Sequence, residues 1–136
     1  MTYLHKDRVI WVTGAASGIG KAAAEEILSE GGCVVGSDLP AADFSWAEGV
    51  DNMRCVTGSV SDVAHNALAV ETAVSEFGHL DGAVLNAGMA GRIDLFDGDM
   101  EFFDEVMDVN VRAVILGIRA CADAMRPGSA ITVTAS

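Results

Sequence analysis

Cysteine, proline, aromatic side chains and positive charge are all scarce in this chain of 136 residues. Cys33, Cys55 and Cys121 are odd in number and widely spaced, with no Cys-x-x-Cys, so neither a disulfide framework nor a thiolate metal knot is expected. A reduced, cytoplasmic setting fits that usage, with buried packing as the expected role of each thiol. Eight Lys and Arg stand against 20 Asp and Glu, a net charge of −12, which argues against nucleic acid or an anionic membrane as a partner. No apolar run reaches the ~18 residues of a membrane span, and no charged-then-apolar leader is visible. His5, His65 and His79 lack ligand-like grouping, so no metal is expected, and His79 with Asp81 reads as a solvated turn.

What the chain does have is Ala, Val and Gly in short apolar runs that alternate with helical patterns. Val9–Val12, Cys33–Ser37, Met53–Val56, Gly82–Leu85 and Ala130–Ala135 read as strands. Helices are expected over Gly18–Glu30 and Asp62–Phe77, the latter stopped by Gly78, and over one long stretch, Asp99–Met125, closed by Arg126-Pro127-Gly128. Pro40–Asn52 is the least patterned segment. Strand–helix alternation with continuous apolar strands predicts a doubly wound parallel α/β sheet, a Rossmann fold, with its ligand crevice at the strands' C-terminal ends.

Between the first strand and first helix lies Thr13-Gly14-Ala15-Ala16-Ser17-Gly18-Ile19-Gly20. A glycine turn there lets the backbone approach a diphosphate, while the helix N-terminus supplies N–H donors and positive potential without Lys or Arg. Asp38 closes the second strand 18 positions after Gly20. A carboxylate at that place can accept from the ribose hydroxyls of NAD and would repel the additional phosphate of NADP. No arginine follows Asp38 and Leu39 to receive such a phosphate.

On these residues the chain resembles the N-terminal part of a short-chain dehydrogenase/reductase of the ordinary single-domain branch. Thr13-Gly14-x-x-x-Gly18-x-Gly20 matches the nucleotide fingerprint, and Asn86-Ala87-Gly88 the segment beside the cofactor. Asn110, in Asp108-Val109-Asn110-Val111, matches the catalytic-site asparagine, and Ser136 the serine that holds the substrate oxygen. The resemblance implies an NAD-dependent oxidoreductase acting on a small alcohol or ketone. It implies Asn110 and Ser136 as catalytic residues, and Gly14, Ser17, Gly18, Ile19, Gly20, Asp38, Leu39, Ser59, Val60, Asn86, Ala87 and Gly88 as cofactor-binding residues.

Two departures stand out. Ser59 occupies the place where the family often has the Asp that meets the adenine amino group. The family's Tyr-x-x-x-Lys is absent: the one tyrosine is Tyr3, with Asp7 four residues on. The family's domain is about twice as long, so residues 1–136 are expected to be an incomplete Rossmann domain, truncated after five strands and catalytically incomplete alone. A non-catalytic NAD-binding or regulatory module is the alternative; a methyltransferase-like fold would lack the Asn86-Ala87-Gly88 and Asn110 landmarks. The helix 99–126 is apolar on nearly every face beyond Val109, with Arg112, Arg119 and Arg126 at sevenfold spacing, and by resemblance is expected to pair subunits in a homo-oligomer.

Overall fold

The computed structural model of the chain describes residues 3–135. Five strands form one parallel sheet: β1 (Val9–Thr13), β2 (Cys33–Asp38), β3 (Met53–Thr57), β4 (Leu80–Leu85) and β5 (Met125–Val133), in the order β3-β2-β1-β4-β5. Helix α1 (Gly18–Ser29) carries the chain from β1 to β2, α2 (Val63–Phe77) from β3 to β4, and α3 (Met100–Met107) and α4 (Ala113–Ala122) from β4 to β5. The order reverses at β1, where the chain leaves β3 and returns beside β1 as β4. Such a reversal opens a crevice at the strands' C-terminal ends. The expected doubly wound sheet is therefore present. Among the described residues no helix is long and apolar enough to cross a membrane.

Alternation along the strands builds two cores. Val9 and Trp11 of β1 face α2 and α4 with Val35, Val70, Leu80 and Cys121. Val12 and Val34 face the other side with Ala24 and Ile27 of α1 and Met53. Trp11 is the largest fully buried side chain, and its indole Nε1 donates to Ser37 Oγ at 2.9 Å, so its polar edge is satisfied. Asp62 caps α2 by accepting from the Ala64 amide, and Gly78 ends it in the left-handed region at φ 92°. Of the thiols, Cys121 is buried and pushed up to about 12 by desolvation, Cys33 is half-buried, and Cys55 on the edge strand β3 is exposed, not packed as expected.

The long helix predicted over 99–126 is helical from Met100 to Ala122 only and carries a π turn. Asp99 caps α3 as expected, but Asp108–Arg112 forms a wide π turn before α4, which ends at Ala122. Arg126, Pro127 and Gly128 lie within β5 and do not close a helix. Their tolerance there comes from a register break: β4 advances from Leu80 to Gly82 while β5 advances from Met125 to Ala130, so Pro127 need not donate to a regular ladder. The seven-residue arginine stripe dissolves with it. Arg112 pairs with Asp108 on its own turn, and Arg126 reaches Asp81.

Asp81 sits on β4, and its side chain is only 3% exposed, where the sequence suggests a solvated turn. Its Oδ1 accepts from Arg126 at 2.7 Å; its Oδ2 accepts from the Val9 amide at 2.9 Å and lies 3.0 Å from His79 Nε2. Burial alone would raise this carboxyl. The bonds from Arg126 and Val9, with the charges of His79 and Arg126, outweigh it and hold it below the ordinary carboxylate value. A carboxyl lowered on folding stabilises above its unfolded pKa of about 3.9 and loses that contribution as pH falls through the folded value. Asp81→Asn is expected to cost about 2 kcal/mol at pH 7 in urea unfolding, with the gap to wild type closing below about pH 4. A gap that stays constant with pH would show that the charge of Asp81 contributes nothing.

Candidate functional site

The site is built at the C-terminal end of β1. Thr13 leads into Gly14, whose φ of 67° is left-handed, and the loop enters α1 at Gly18, also left-handed at φ 58°. Gly20 makes the turn possible: a Cβ there would stand 2.1 Å from the Gly14 carbonyl oxygen and 2.7 Å from Asn86 Nδ2. By contrast, a Cβ on Gly18 would meet nothing within 4 Å, so the space before the turn is open. Ser17 is extended and its side chain makes no capping bond. The first amides of α1 have no intrahelical acceptor and none from Ser17, which leaves donors and partial positive charge at the loop. An open space fronted by free helix amides fits a diphosphate.

The loop is tied to the end of β2. The Ala15 amide donates to the Ser37 carbonyl at 3.1 Å, and the Ala16 amide to Asp38 Oδ2 at 3.0 Å. Asp38 Oδ1 accepts from the Leu39 amide at 2.8 Å. Each carboxylate oxygen keeps a further lone pair, so Asp38 can accept from a ligand hydroxyl without surrendering either bond. Beyond β3, Ser59 Oγ and Ser61 Oγ lie 2.8 Å apart. Behind that loop Gly58 packs against the buried His65 ring, where a Cβ would fall 2.4 Å from Nδ1; burial pushes the His65 pKa down and keeps it neutral near pH 7.

Thr13 Oγ1 accepts from the amides of Asn86 and Ala87, both at 2.9 Å. Asn86 Nδ2 donates to the Thr13 carbonyl at 3.3 Å, and Thr134 Oγ1 donates to Asn86 Oδ1 at 3.0 Å. This network binds the ends of β1 and β4 to the segment after β5. Asn110 lies inside the π turn and clamps the next stretch of backbone: its Oδ1 accepts from the Met89 amide at 2.9 Å and its Nδ2 donates to the Met89 carbonyl at 2.8 Å. A π turn widens the helix by one residue and re-aims the side chain it carries. Here that side chain is the clamp.

Gly14, Ser17, Asp38, Leu39, Ser59, Val60, Asn86, Ala87 and Gly88 all line one cleft of about 440 Å³. Gly18, Ile19 and Gly20 do not line it: Gly20 packs against the Gly14 carbonyl beneath, and Ile19 projects outward and is 68% exposed. Asn110 does not itself line the cleft; it bonds Met89 and lies beside Gly88, both of which do. Ser136 lies outside the described residues. The fingerprint includes Thr13, but its part in holding Asn86 and Ala87 was not foreseen, nor were Thr134 and Glu105, the latter lining the cleft. Tyr3 packs near Gly31, before β2 and therefore at the opposite end of the sheet, as the spacing of Tyr3 and Lys6 led us to expect of an unrelated pair. Among the described residues no group of three or more His, Cys, Asp or Glu could hold a metal ion.

Known proteins match this arrangement. The family model described as short chain dehydrogenase matches residues 8–136. The chain is 38% identical over 122 residues to the 2-(R)-hydroxypropyl-CoM dehydrogenase of Xanthobacter autotrophicus, covering 83% of this chain and 49% of that protein. It is 39% identical over 127 residues to the 3-phenylpropionate-dihydrodiol/cinnamic acid-dihydrodiol dehydrogenase of Photorhabdus laumondii, covering 88% of this chain and 45% of that one. The crystal structure of a short chain dehydrogenase from Burkholderia cenocepacia in complex with NADP superposes with a TM-score of 0.89 at 29% identity, over 96% of this chain and 56% of that chain. A blue fluorescent protein from a metagenomic library, in complex with NADPH, gives 0.85 at 26% identity, over 94% of this chain and 55% of its own. The chain spans about half the length of the curated relatives it matches.

The two glycines at the start of α1 separate packing from strain. Gly20→Ala drives a Cβ into backbone that cannot move independently and is expected to cost about 3 kcal/mol. Gly18→Ala meets only left-handed strain and is expected to cost about 1–2 kcal/mol. Urea midpoints of the two variants compare them directly; equal losses would mean that the Gly14–Gly20 approach does not support the fold.

Proposed function

The chain belongs to the short-chain dehydrogenase family, and from that membership we propose that residues 1–136 are the NAD-binding Rossmann part of an oxidoreductase for small alcohols and ketones. The observation that carries this is the meeting, in one cleft, of the glycine loop with the carboxylate of Asp38. Gly14, Ser17, Gly18, Ile19 and Gly20 would hold the diphosphate. Asp38 and Leu39 would take the adenosine ribose, Ser59 and Val60 the adenine, and Asn86, Ala87 and Gly88 would line the path to the nicotinamide end. A bound nicotinamide supplies hydride acceptance and donation.

Preference for NAD over NADP rests on charge. Asp38 and Glu105 are the charged residues of the cleft wall, and no Lys or Arg lines it. A 2′-phosphate beside Asp38 would meet a like charge with no cation to offset it. The solved neighbours named above carry NADP or NADPH; in this respect the chain is proposed to differ from them.

In the chemistry of the longer protein, Ser136 would hold the substrate oxygen. Asn110 would keep the Met89 backbone and the π turn in place and support a proton-relay water. The proton itself would pass through a tyrosine supplied beyond these residues, since Tyr3 is at the wrong end of the sheet. Residues 1–136 alone would therefore bind without turnover. An alcohol carbon as substrate accords with the hydroxypropyl and dihydrodiol groups in the relatives' names. A homo-oligomer paired through α3 and α4 accords with exposed Met107, Val111, Ile115 and Ile118 on that stretch, and a cytoplasmic setting with three free thiols.

Fluorescence titration of the chain with NADH and NADPH tests the proposal. NADH is expected to bind at least about tenfold more tightly than NADPH, and Asp38→Ala to weaken NADH by about tenfold and erase the difference. Tighter binding of NADPH, or indifference to Asp38→Ala, would refute the assignment. Turnover of an alcohol by these residues alone would refute the catalytic part, and binding by a longer parent that never turns over would favour a regulatory module.

A further inference from the structure

Two carboxylates line the cleft, and they are used differently. Asp38 is held by two backbone amides, whereas the Glu105 carboxylate has no hydrogen-bond or ion-pair partner among the described residues. Val60, from the loop after β3, and Val109, from the π turn, line both the cleft and a small cavity shared with Ala87, so that loop and α3 are neighbours. Glu105 lies one helical turn before Val109, on the same side of its helix. It therefore stands on the wall that adjoins Ser59 and Ser61.

Those serines are already linked to each other. Their hydroxyls bond each other at 2.8 Å, and Ser59 Oγ also receives the Ser61 amide at 3.3 Å. One hydroxyl hydrogen is consumed within the pair and the other remains to donate outward. The cleft thus offers a hydroxyl donor from one wall and an unpaired carboxylate acceptor from the other. A purine edge with an amino donor beside a ring-nitrogen acceptor matches that pattern, and adenine has such an edge; a 6-oxo purine would set a carbonyl oxygen against the carboxylate.

Resting on the dinucleotide reading of the cleft, we propose that Glu105 is a base-specificity residue that accepts from the adenine 6-amino group, while the Ser59–Ser61 pair donates to a neighbouring ring nitrogen. The acid absent at position 59 is in effect supplied from α3, across the cleft. Glu105 touches no reacting atom in this arrangement; it selects the base.

The test compares NADH with reduced nicotinamide hypoxanthine dinucleotide, which differs only in carrying a 6-oxo group in place of the amine. Both are titrated by nicotinamide fluorescence into the wild-type chain, Glu105→Gln and Glu105→Ala. The wild type is expected to prefer NADH by about tenfold or more. Both variants are expected to lose most of that preference by weakening NADH, while the analogue binds within about twofold of its wild-type affinity and so reports an intact fold. A preference unchanged in the variants, or equal binding of the two ligands by wild type, overturns the role of Glu105 and leaves the dinucleotide reading standing. Failure of the wild type to bind either ligand overturns both.

Discussion

The contact of the Gly14 carbonyl with the Cα of Gly20 is the constraint from which the site follows. It folds the loop after β1 back onto the first turn of α1, and no side chain can enter between them. With the loop so closed, its amides are presented as a group: Ala15 and Ala16 are spent on the end of β2, and the first amides of α1 stay unspent. The same close packing puts Asn86 against the loop and so brings the end of β4 to the ligand side. On the proposed reading, a chain carrying a net charge of −12 would accept an anion here because the donors are backbone, fixed by geometry and insensitive to the sign of the surface.

Around that contact the structure uses side chains mainly to hold backbone. Thr13 collects the amides of Asn86 and Ala87, Asn86 answers the Thr13 carbonyl, and Asn110 clamps both polar groups of Met89. Each bond contributes about 1 kcal/mol to stability on its own. Their joint effect is to fix the cleft wall relative to the glycine loop, which lies on another strand. At the far end of the sheet Asp81 does comparable work between β1, β4 and β5, with charge in place of amide dipoles. The sheet is thus fastened at both ends.

Much of this was legible in the residues. Continuous apolar runs and glycine spacing located five strands and the loop, with β5 starting at Met125 rather than Ala130, because burial on both faces and a close backbone approach leave few residue types free to vary. Nine of the twelve residues expected to bind the cofactor line one cleft; Gly18, Ile19 and Gly20 do not. The long helix over 99–126 was misread because a π turn leaves an apolar pattern intact: it shifts register by one residue without changing composition. Asp81 was misread because its burial depends on Arg126, 45 positions away, crossing a register break that puts Pro127 and Gly128 inside a strand.

By itself the amino-acid order determined the kind of sheet, the glycine loop and the acid at the end of β2, since each is specified by local rules of run length, turn and spacing. Tertiary structure alone decided which carboxylates are buried and which are free, that Asn110 acts through Met89, and that Glu105 lines the same cleft as Ser59 and Ser61. Those outcomes depend on residues far apart in the chain meeting at fixed distances, and no local pattern encodes such a meeting.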